Sequence, residues 1–360
     1  MRFLTLFLAL SAFCILLVLG TSCSTDSAPP DQPTLCSGNC DLSGIAVNRF
    51  VRFEGTLYAA TDSGLYRSPI SDTLAWSSLG LQKKKVKDVA FLAGNRLLAA
   101  VGIADFSSGI PSLFLSADNG RRWQAYMNNY GGETGKYTWV EALAAASKPS
   151  DTLFAHAAER TIVRSTDGGK NWNVVIGRWS NFGGASKSLF SDPFQTGRIW
   201  ASGANPFEQP YLLKSTDYGT SWKNLSNIGT TAQVCYDMVS HPRNENLIIA
   251  GMDGNFNPSL QIRKSTDGGQ SWQTVLEGFG IRTLAHSKQN ADWIYASGRN
   301  KDGTLFVLLS TDFGNAWEEI TIRETPGGIV VNDIVSALVD GQEVLYFGTN
   351  KGVFRYEFEE

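Results

Sequence analysis

The chain has 360 residues, a formal net charge of −3, 42% hydrophobic residues and only 18% charged residues. The aromatic content and small net charge argue against a disordered chain, and the slightly acidic balance argues against nucleic-acid binding through bulk positive charge. Ten Trp and 36 Gly residues are the unusual feature of this composition.

The N-terminal segment predicts export. Arg2 precedes an apolar run from Phe3 to Leu19, which is typical of a signal peptide. Small residues then lead into Cys23, as at the cleavage site of a bacterial lipoprotein, although Gly20 stands where Leu is expected. We predict a lipoprotein-type signal peptide over residues 1–22, with Cys23 as the lipidated N-terminus. An ordinary secretory signal and an uncleaved anchor are the alternatives.

Residues 23–41 are rich in Ser, Pro, Asp and Gly and predict a flexible tether. Cys36 and Cys40 within it are a candidate disulfide, because an exported chain permits one. Metal ligation is the alternative for this pair, but no His or second Cys pair lies nearby, and we predict no metal site. Cys235 lies in an apolar strand pattern and is expected to be a buried core thiol.

An internal repeat organises the rest of the chain. The motif Ser-x-Asp-x-Gly-x-x-Trp occurs five times at intervals of roughly 50 residues, starting at Ser116, Ser165, Ser215, Ser265 and Ser310. Its residues suit a corner between two strands. Asp accepts hydrogen bonds from turn amides, Gly adopts a positive φ, Ser ties the turn, and Trp packs into the core as the next strand begins.

This motif resembles the Asp-box, or BNR, repeat of sialidase-like propellers. The resemblance implies an all-β fold in which the box joins the third and fourth strands of each blade, away from the ligand face. It also implies that the aspartates of the motif are structural rather than catalytic or metal-binding; they are Asp118, Asp167, Asp217, Asp267 and Asp312.

The repeat count predicts a single seven-bladed β-propeller over residues 42–360. Seven second-strand patterns run from Leu57–Ala60 to Leu345–Gly348, and seven first-strand patterns run from Gly44–Val47 to Asp333–Val335. Six or eight blades are the alternatives. The last blade has no box, and its outer strand is either missing or supplied by residues near Thr34–Cys40.

Two sets of residues are candidates for ligand binding on the predicted ligand face. The first set consists of aromatic side chains in loops, which can stack on sugars or anchor a protein partner: Tyr130, Trp139, Trp179, Phe182, Phe207 and Phe256. The second set is a polar column just ahead of the first-strand apolar residues, near the channel mouth: Lys87, Glu141, Lys187, Tyr236, Arg282 and Asn332. The alternative roles are capping of the core for the aromatics and a solvated channel lining for the column.

Sialidases have a similar fold and repeat. Their active site contains three arginines, a Tyr–Glu pair and an Asp that acts as the acid. Here Tyr66-Arg67 comes nearest to their early arginine motif, but the third-strand repeat explains it, and the polar column supplies one arginine. Tyr236 and Glu141 are a candidate tyrosine–carboxylate pair. Xyloglucan-active hydrolases are a second Asp-box group, but they use two propellers, and nothing in the sequence selects a carboxylate pair such as Asp88 and Asp333.

We therefore predict an extracytoplasmic module of the cell envelope, on the cell surface or in the periplasm, that is anchored to the membrane by a lipid on Cys23. It binds a protein or glycan ligand, uses no cofactor and has no nucleic-acid partner. Length, lipid signal and blade number resemble the photosystem II assembly factor family, which binds protein partners, although the arginine-rich patch expected there is not evident. The alternative is a sialidase-like glycoside hydrolase, an exo-alpha-sialidase or related enzyme.

Overall fold

Short strands separated by tight turns make up the computed structural model of this chain. The structure describes residues 34–35, 42–71, 73–102, 112–126, 140–147, 150–157, 161–176, 185–205, 209–225, 227–229, 233–254, 260–299, 304–320, 322 and 327–358. Within these ranges there is no helix, and therefore no helix that could span a membrane.

The described ranges contain twenty-eight strands, taken here in chain order. A two-residue strand comes first, β1 (Thr34–Leu35), and the first three blades follow. Blade 1 contains β2 (Val47–Phe53), β3 (Thr56–Thr61), β4 (Gly64–Pro69) and β5 (Ser77–Ser78). Blade 2 contains β6 (Lys85–Leu92), β7 (Arg96–Gly102), β8 (Leu113–Ser116) and β9 (Gln124–Tyr126). Blade 3 contains β10 (Val140–Ala145), β11 (Leu153–Ala157), β12 (Thr161–Ser165) and β13 (Asn173–Ile176).

The remaining four blades repeat this arrangement. Blade 4 contains β14 (Ala185–Ser191), β15 (Ile199–Ala204), β16 (Pro210–Ser215) and β17 (Lys223–Asn224). Blade 5 contains β18 (Val234–His241), β19 (Asn244–Asp253), β20 (Gln261–Ser265) and β21 (Gln273–Glu277). Blade 6 contains β22 (Gly280–His286), β23 (Ile294–Arg299), β24 (Val307–Ser310) and β25 (Glu318–Ile320). Blade 7 contains β26 (Val331–Val339), β27 (Gln342–Thr349) and β28 (Gly352–Glu357).

Every blade is a four-stranded antiparallel sheet, and the seventh is completed by β1. Thr34 pairs with Arg355, and Leu35 pairs with Phe354, so the outer strand of the last blade comes from near the N-terminus. The prediction of seven blades is confirmed, and the open question about the last blade is resolved in favour of a donated strand. The predicted boundaries at residues 22 and 41 stay predictions, although β1 lies inside the segment expected to be a tether.

One predicted strand was misplaced. The first strand of blade 1 was expected at Gly44–Val47, but β2 runs from Val47 to Phe53. Gly44 instead has φ 75° and donates its amide to the carbonyl of Lys351, so this segment is the turn that joins blade 7 to blade 1. Glycine adopts this positive φ readily, which suits the turn.

Apolar side chains fill the space between neighbouring sheets. Between blades 3 and 4, for example, Phe154 and Ile162 pack with Leu189, Ile199 and Tyr211. Such burial contributes roughly 25 cal/mol per Å² of apolar surface. The Cys235 thiol lies fully buried in a similar cluster, as predicted, and this burial raises its pKa.

The five Ser-x-Asp-x-Gly-x-x-Trp segments share one geometry, and each follows the third strand of its blade. In the turn after β16, the Ser215 hydroxyl donates to Asp217 (2.8 Å) and accepts the Gly219 amide (2.8 Å). Asp217 accepts the Ser221 amide at 2.9 Å. Each turn also donates a backbone amide to a carbonyl in or near the connection between the first and second strands of its own blade. These connections and turns define one face of the propeller, called the turn face below.

Acid should weaken these turns. Hydrogen bonds from the Ser221 hydroxyl and amide lower the pKa of Asp217 to about 2, and equivalent bonds from Ser271 do the same for Asp267. A carboxyl whose pKa is lower in the folded than in the unfolded state adds stability above the unfolded pKa of about 4 and loses it as the pH falls toward 2. We expect Asp217→Asn to lower the urea midpoint at pH 7 and to flatten its decline between pH 4 and pH 2.

The matched control is Asp340→Asn, at an exposed aspartate in the β26–β27 turn. It should leave both the midpoint and the acid slope unchanged. Equal acid slopes for wild type and Asp217→Asn would contradict the assigned role of the turn aspartates.

Candidate functional site

Every first strand carries a β-bulge at the same place. The register shifts fall between Val47 and Arg49 in blade 1, between Val86 and Asp88 in blade 2, and at the equivalent pair in each of the other five first strands. A bulge inserts an unpaired residue and changes where neighbouring side chains point. Two consecutive residues of one strand, such as Lys87 and Asp88, therefore both line the central channel instead of alternating in direction.

These bulged strands surround a cavity of about 250 Å³ at the end of the channel where the first strands begin. We call this cavity the channel mouth and its side of the propeller the entry face. All six residues of the predicted polar column line it: Lys87, Glu141, Lys187, Tyr236, Arg282 and Asn332. Asn48 is the seventh member, missed because the first strand of blade 1 was misplaced. The likeness of Val47-Asn48-Arg49-Phe50 to Val331-Asn332-Asp333-Ile334 is the signal that could have found it.

The charged groups of the mouth are arranged around Tyr236. Lys187 Nζ lies 5.2 Å and Arg282 Cζ 5.1 Å from the centroid of its ring, both within the range of cation–π attraction. Lys87 Nζ pairs with Glu141 Oε2 at 3.2 Å. Burial lowers the pKa of Lys187, and the nearby cations Arg282 and Lys87 lower it further, against the opposing effect of Glu141. Burial also raises the pKa of Tyr236.

Arg282 is held from behind by a second arginine and a buried carboxylate. Its Nε bonds Asp253 Oδ2 at 2.8 Å, while Arg299 bonds the other oxygen of Asp253 at 2.9 Å and the carbonyl of Gly254 at 3.0 Å. Asp253 is almost completely buried. This arrangement fixes the guanidinium of Arg282 at the mouth, because charge-assisted bonds orient it.

A deeper layer of the channel contains three aspartates that tie neighbouring blades together. Asp88 accepts the amide of Leu143 in blade 3 (3.0 Å), Asp237 accepts that of Leu284 in blade 6 (2.9 Å), and Asp333 accepts that of Phe50 in blade 1 (2.7 Å). Each carboxylate also accepts the amide of the residue that follows it. These three carboxylates therefore join neighbouring blades around the channel.

Arg49 lies among these aspartates. Its Nε is 3.6 Å from Asp333 Oδ2, and the carboxylates of Asp333, Asp88 and Asp237 raise its pKa against the opposing effect of burial. Burial raises the pKa of Asp237 to about 6, although Arg49 and the Leu284 amide act in the opposite direction. Arg49, Asp237 and Asp333 also line a second cavity nearer the turn face, so this layer divides the channel in two.

The channel mouth differs from the sialidase active site because its charged side chains are bonded to other residues of the chain. Glu141 is paired with Lys87, and among the described residues Tyr236 does not contact Glu141. Arg282 and Arg299 converge on the chain's own Asp253, and Tyr66-Arg67 lies in the third strand β4, as expected. Within the described ranges, no group of three His, Cys, Asp or Glu side chains is placed to hold a metal ion.

The other predicted site residues lie outside the part of the chain that the structure describes. This applies to the aromatic loop residues Tyr130, Trp139, Trp179, Phe182, Phe207 and Phe256, and to Cys23, Cys36 and Cys40. Their assigned roles stay predictions.

No family model matches the chain. Among curated proteins, the human VPS10 domain-containing receptor SorCS3 is 30% identical over 116 residues, and rat Sortilin is 28% identical over 118 residues. Each match covers 32% of this chain but only 9% of SorCS3 and 14% of Sortilin.

Solved structures share the architecture at low identity. YCF48 bound to a D1 peptide matches with a TM-score of 0.62 and 16% identity, over 88% of this chain and 95% of that chain. The GH74 xyloglucanase from Xanthomonas campestris matches with a TM-score of 0.63 and 17% identity, over 88% of this chain and 53% of that enzyme. These likenesses establish the propeller fold.

Proposed function

We propose that this chain is a binding module that holds a protein or glycan ligand at the channel mouth on its entry face. The observation that carries the proposal is the bulge shared by all seven first strands. The bulge directs one additional polar side chain of each blade toward the same cavity. Lysine, arginine, tyrosine, glutamate and asparagine side chains therefore converge there. Rigid, preorganised polar groups at one end of a cavity favour recognition of a polar ligand.

Lys187 is the residue best placed to meet such a ligand. Lys87 and Arg282 each have a carboxylate partner, whereas Lys187 forms a cation–π contact with Tyr236 and no ion pair with another described residue. Its ammonium therefore keeps hydrogen-bond donors available for a ligand carboxylate or hydroxyl. Tyr236 beside it adds a phenol hydroxyl, which can donate to or accept from a sugar hydroxyl or a peptide group.

Two of the similar structures support the two ligand classes. YCF48 was solved with a D1 peptide, and the GH74 protein is a xyloglucanase.

We infer that the five repeated turns are Asp boxes and serve as structural corners.

We further propose that a lipid on Cys23 anchors the protein to an extracytoplasmic membrane surface. The sequence around Cys23 supports this, since small residues follow an apolar run that is preceded by Arg2. Membrane fractionation and mass spectrometry of the N-terminal peptide test it, with Cys23→Ala as the variant that should lose the lipid.

Binding at the mouth has a direct test. A protein comprising residues 24–360 keeps β1 and can be screened on glycan and peptide arrays. For any ligand so found, we expect Lys187→Glu to weaken binding roughly tenfold or more, since a hydrogen bond to a charged group contributes about 1.5–3 kcal/mol. Lys223→Glu, at an exposed lysine of the outer strand β17, is the control and should bind like the wild type.

A ligand whose affinity is the same for wild type and Lys187→Glu would contradict the assignment of the mouth. A panel of chromogenic glycosides tests the alternative, glycoside hydrolysis, in the same preparation. Turnover that disappears in Glu141→Gln or Tyr236→Phe would replace the binding proposal with a hydrolase.

A further inference from the structure

A second cavity opens on the turn face, at the other end of the channel from the mouth. It has a volume of about 260 Å³ and adjoins another of about 380 Å³. Phe194, His286 and Lys288 line both, so the two form one continuous depression. We call it the turn-face groove.

Phe194 projects from the β14–β15 turn and is 40% exposed, one of three large apolar side chains that are exposed in the described part of the chain. The turn that carries it is fixed. Asp192 accepts the amides of Phe194 (2.9 Å) and Gln195 (3.2 Å), and it is itself bonded by Trp200 Nε1 (3.0 Å) and Ser240 Oγ (2.7 Å). An exposed aromatic on a rigid turn loses little conformational entropy on binding, which is a property of interface hot spots.

Apolar groups form the floor of the groove. The Phe194 ring meets the edge of His286 with centroids 5.0 Å apart, and His286 stacks on Phe313 at 6.2 Å. Met238 and Leu284 line the deeper part. This environment also lowers the pKa of His286 to about 4 through burial, so its ring is neutral at pH 7 and behaves as part of the apolar floor.

Three cations surround this floor: Arg52, Arg243 and Lys288. All three are exposed, and among the described residues none pairs with a carboxylate. The buried acids nearby are engaged within the chain: Asp237 and Asp333, in the deep part of the cavity, each accept a backbone amide of a neighbouring blade. Asp192 is bonded as above, and Glu343 accepts bonds from Ser287, Tyr295, Ser336 and the Lys288 amide. Glu343 attracts the Lys288 ammonium through space but forms no ion pair with it, so the three cations at the rim keep hydrogen-bond donors for a ligand.

We propose that the turn-face groove binds an extended acidic peptide segment of a partner protein, with an aromatic or aliphatic side chain inserted beside Phe194. Apolar burial against Phe194 and Met238 supplies affinity, and carboxylates on either side of the inserted residue pair with Lys288, Arg52 and Arg243. Charge complementarity selects this occupant, since a basic segment would be repelled by all three cations. The site opens at the opposite end of the channel from the mouth, and none of the residues proposed to contact the peptide lines the mouth.

The test starts from a phage library of random hexapeptides panned on the protein comprising residues 24–360. We expect enrichment of acidic sequences with a central Phe, Leu or Trp. A labelled, acetylated Glu-Glu-Phe-Leu-Glu-Glu amide then serves as the probe in fluorescence anisotropy. Phe194→Ser and Lys288→Glu should each weaken its binding tenfold or more, and added salt should weaken the binding further.

Controls use matched exposed positions outside the groove. Leu338→Ser and Lys223→Glu should bind the probe like the wild type, and Lys187→Glu at the mouth should also have no effect, which separates this site from the proposed function. Unfolding midpoints confirm that the variants are folded. Enrichment of neutral or basic peptides, or no enrichment, would overturn the proposal. So would binding to phosphatidylserine vesicles that depends on Lys288 while the acidic peptide does not bind.

Discussion

Arg49→Met is expected to destabilise the protein by about 2 kcal/mol at pH 7 to 8, and by less at pH 5. The side chain lies inside the channel among Asp88, Asp237 and Asp333, and its removal leaves those carboxylates without a counter-charge. Breaking a buried ion pair costs about 3–5 kcal/mol and an exposed one about 0–1 kcal/mol. The Arg49 side chain is 29% exposed to the channel, so we expect an intermediate value.

The pH dependence follows from the sign of the aspartate shifts. The folded-state pKa of Asp237 is raised to about 6, above its unfolded value of about 4, so the folded protein binds more protons in this window. Its contribution to stability therefore falls as the pH rises from 4 through 6. Without Arg49, which lowers the pKa of Asp237 and Asp333, this window extends to higher pH, and the variant loses most stability at neutral and alkaline pH.

Urea unfolding of wild type and variant at pH 5, 6, 7 and 8 measures this difference. The low pKa of His286 gives a pH slope of opposite sign, but it is present in both proteins and cancels in the comparison. Arg49→Lys keeps the charge and should lose less than the methionine variant. A deficit that is the same at pH 5 and pH 8 would show that Arg49 acts through packing rather than charge.

Gly219→Ala is expected to cost about 3 kcal/mol. Gly219 has φ 73°, where an L-residue costs roughly 1–2 kcal/mol. A Cβ there would lie 2.2 Å from Cε1 of Phe154, a fully buried ring of blade 3 that has no room to move, and overpacking of this kind costs about 1–3 kcal/mol. Gly219 in blade 4 thus has two roles: it adopts the positive φ of the turn, and it leaves room for the Phe154 ring of the neighbouring blade.

Gly268→Ala separates the two contributions. Gly268 has φ 72°, yet a Cβ there would meet only Asn246 Oδ1 at 3.4 Å. This control should show the backbone cost alone, about 1–2 kcal/mol, in the same urea experiment. Equal losses for the two variants would contradict the assigned clash with Phe154.

The repeat made the architecture predictable from sequence, because the same residue types recur wherever the same corner is built. The polar column was predictable for a related reason: Lys87 and Arg282 precede similar apolar strands. Arg49 and Asn48 were missed because the strand of blade 1 was placed too early, at Gly44. The bulges were missed because the residue pattern of a single strand does not show which residue is left unpaired. Two consecutive polar residues within an apolar strand, such as Lys87-Asp88, are the signal that a bulge leaves in the sequence.

The turn-face groove was not predicted at all. The resemblance to Asp-box propellers implies a ligand site on the opposite face, and Phe194 is not among the aromatic residues predicted from the sequence. Only the packing around it distinguishes it, since Asp192 holds its turn and His286 from blade 6 reaches its ring. Contacts between blades that are far apart in sequence leave no local signal in the chain.

The pairing of β1 with β28 has a consequence for how the protein is made. During synthesis Thr34 emerges long before its partner Arg355, so β1 waits unpaired while six blades form from mostly local hairpins. Until the last blade arrives, the ring is open and a bare strand edge is exposed to other chains. Closure is then a single late step between segments that the finished blades have already brought close. We therefore expect folding of the protein to be slowest, and aggregation most frequent, just before this final strand pairing.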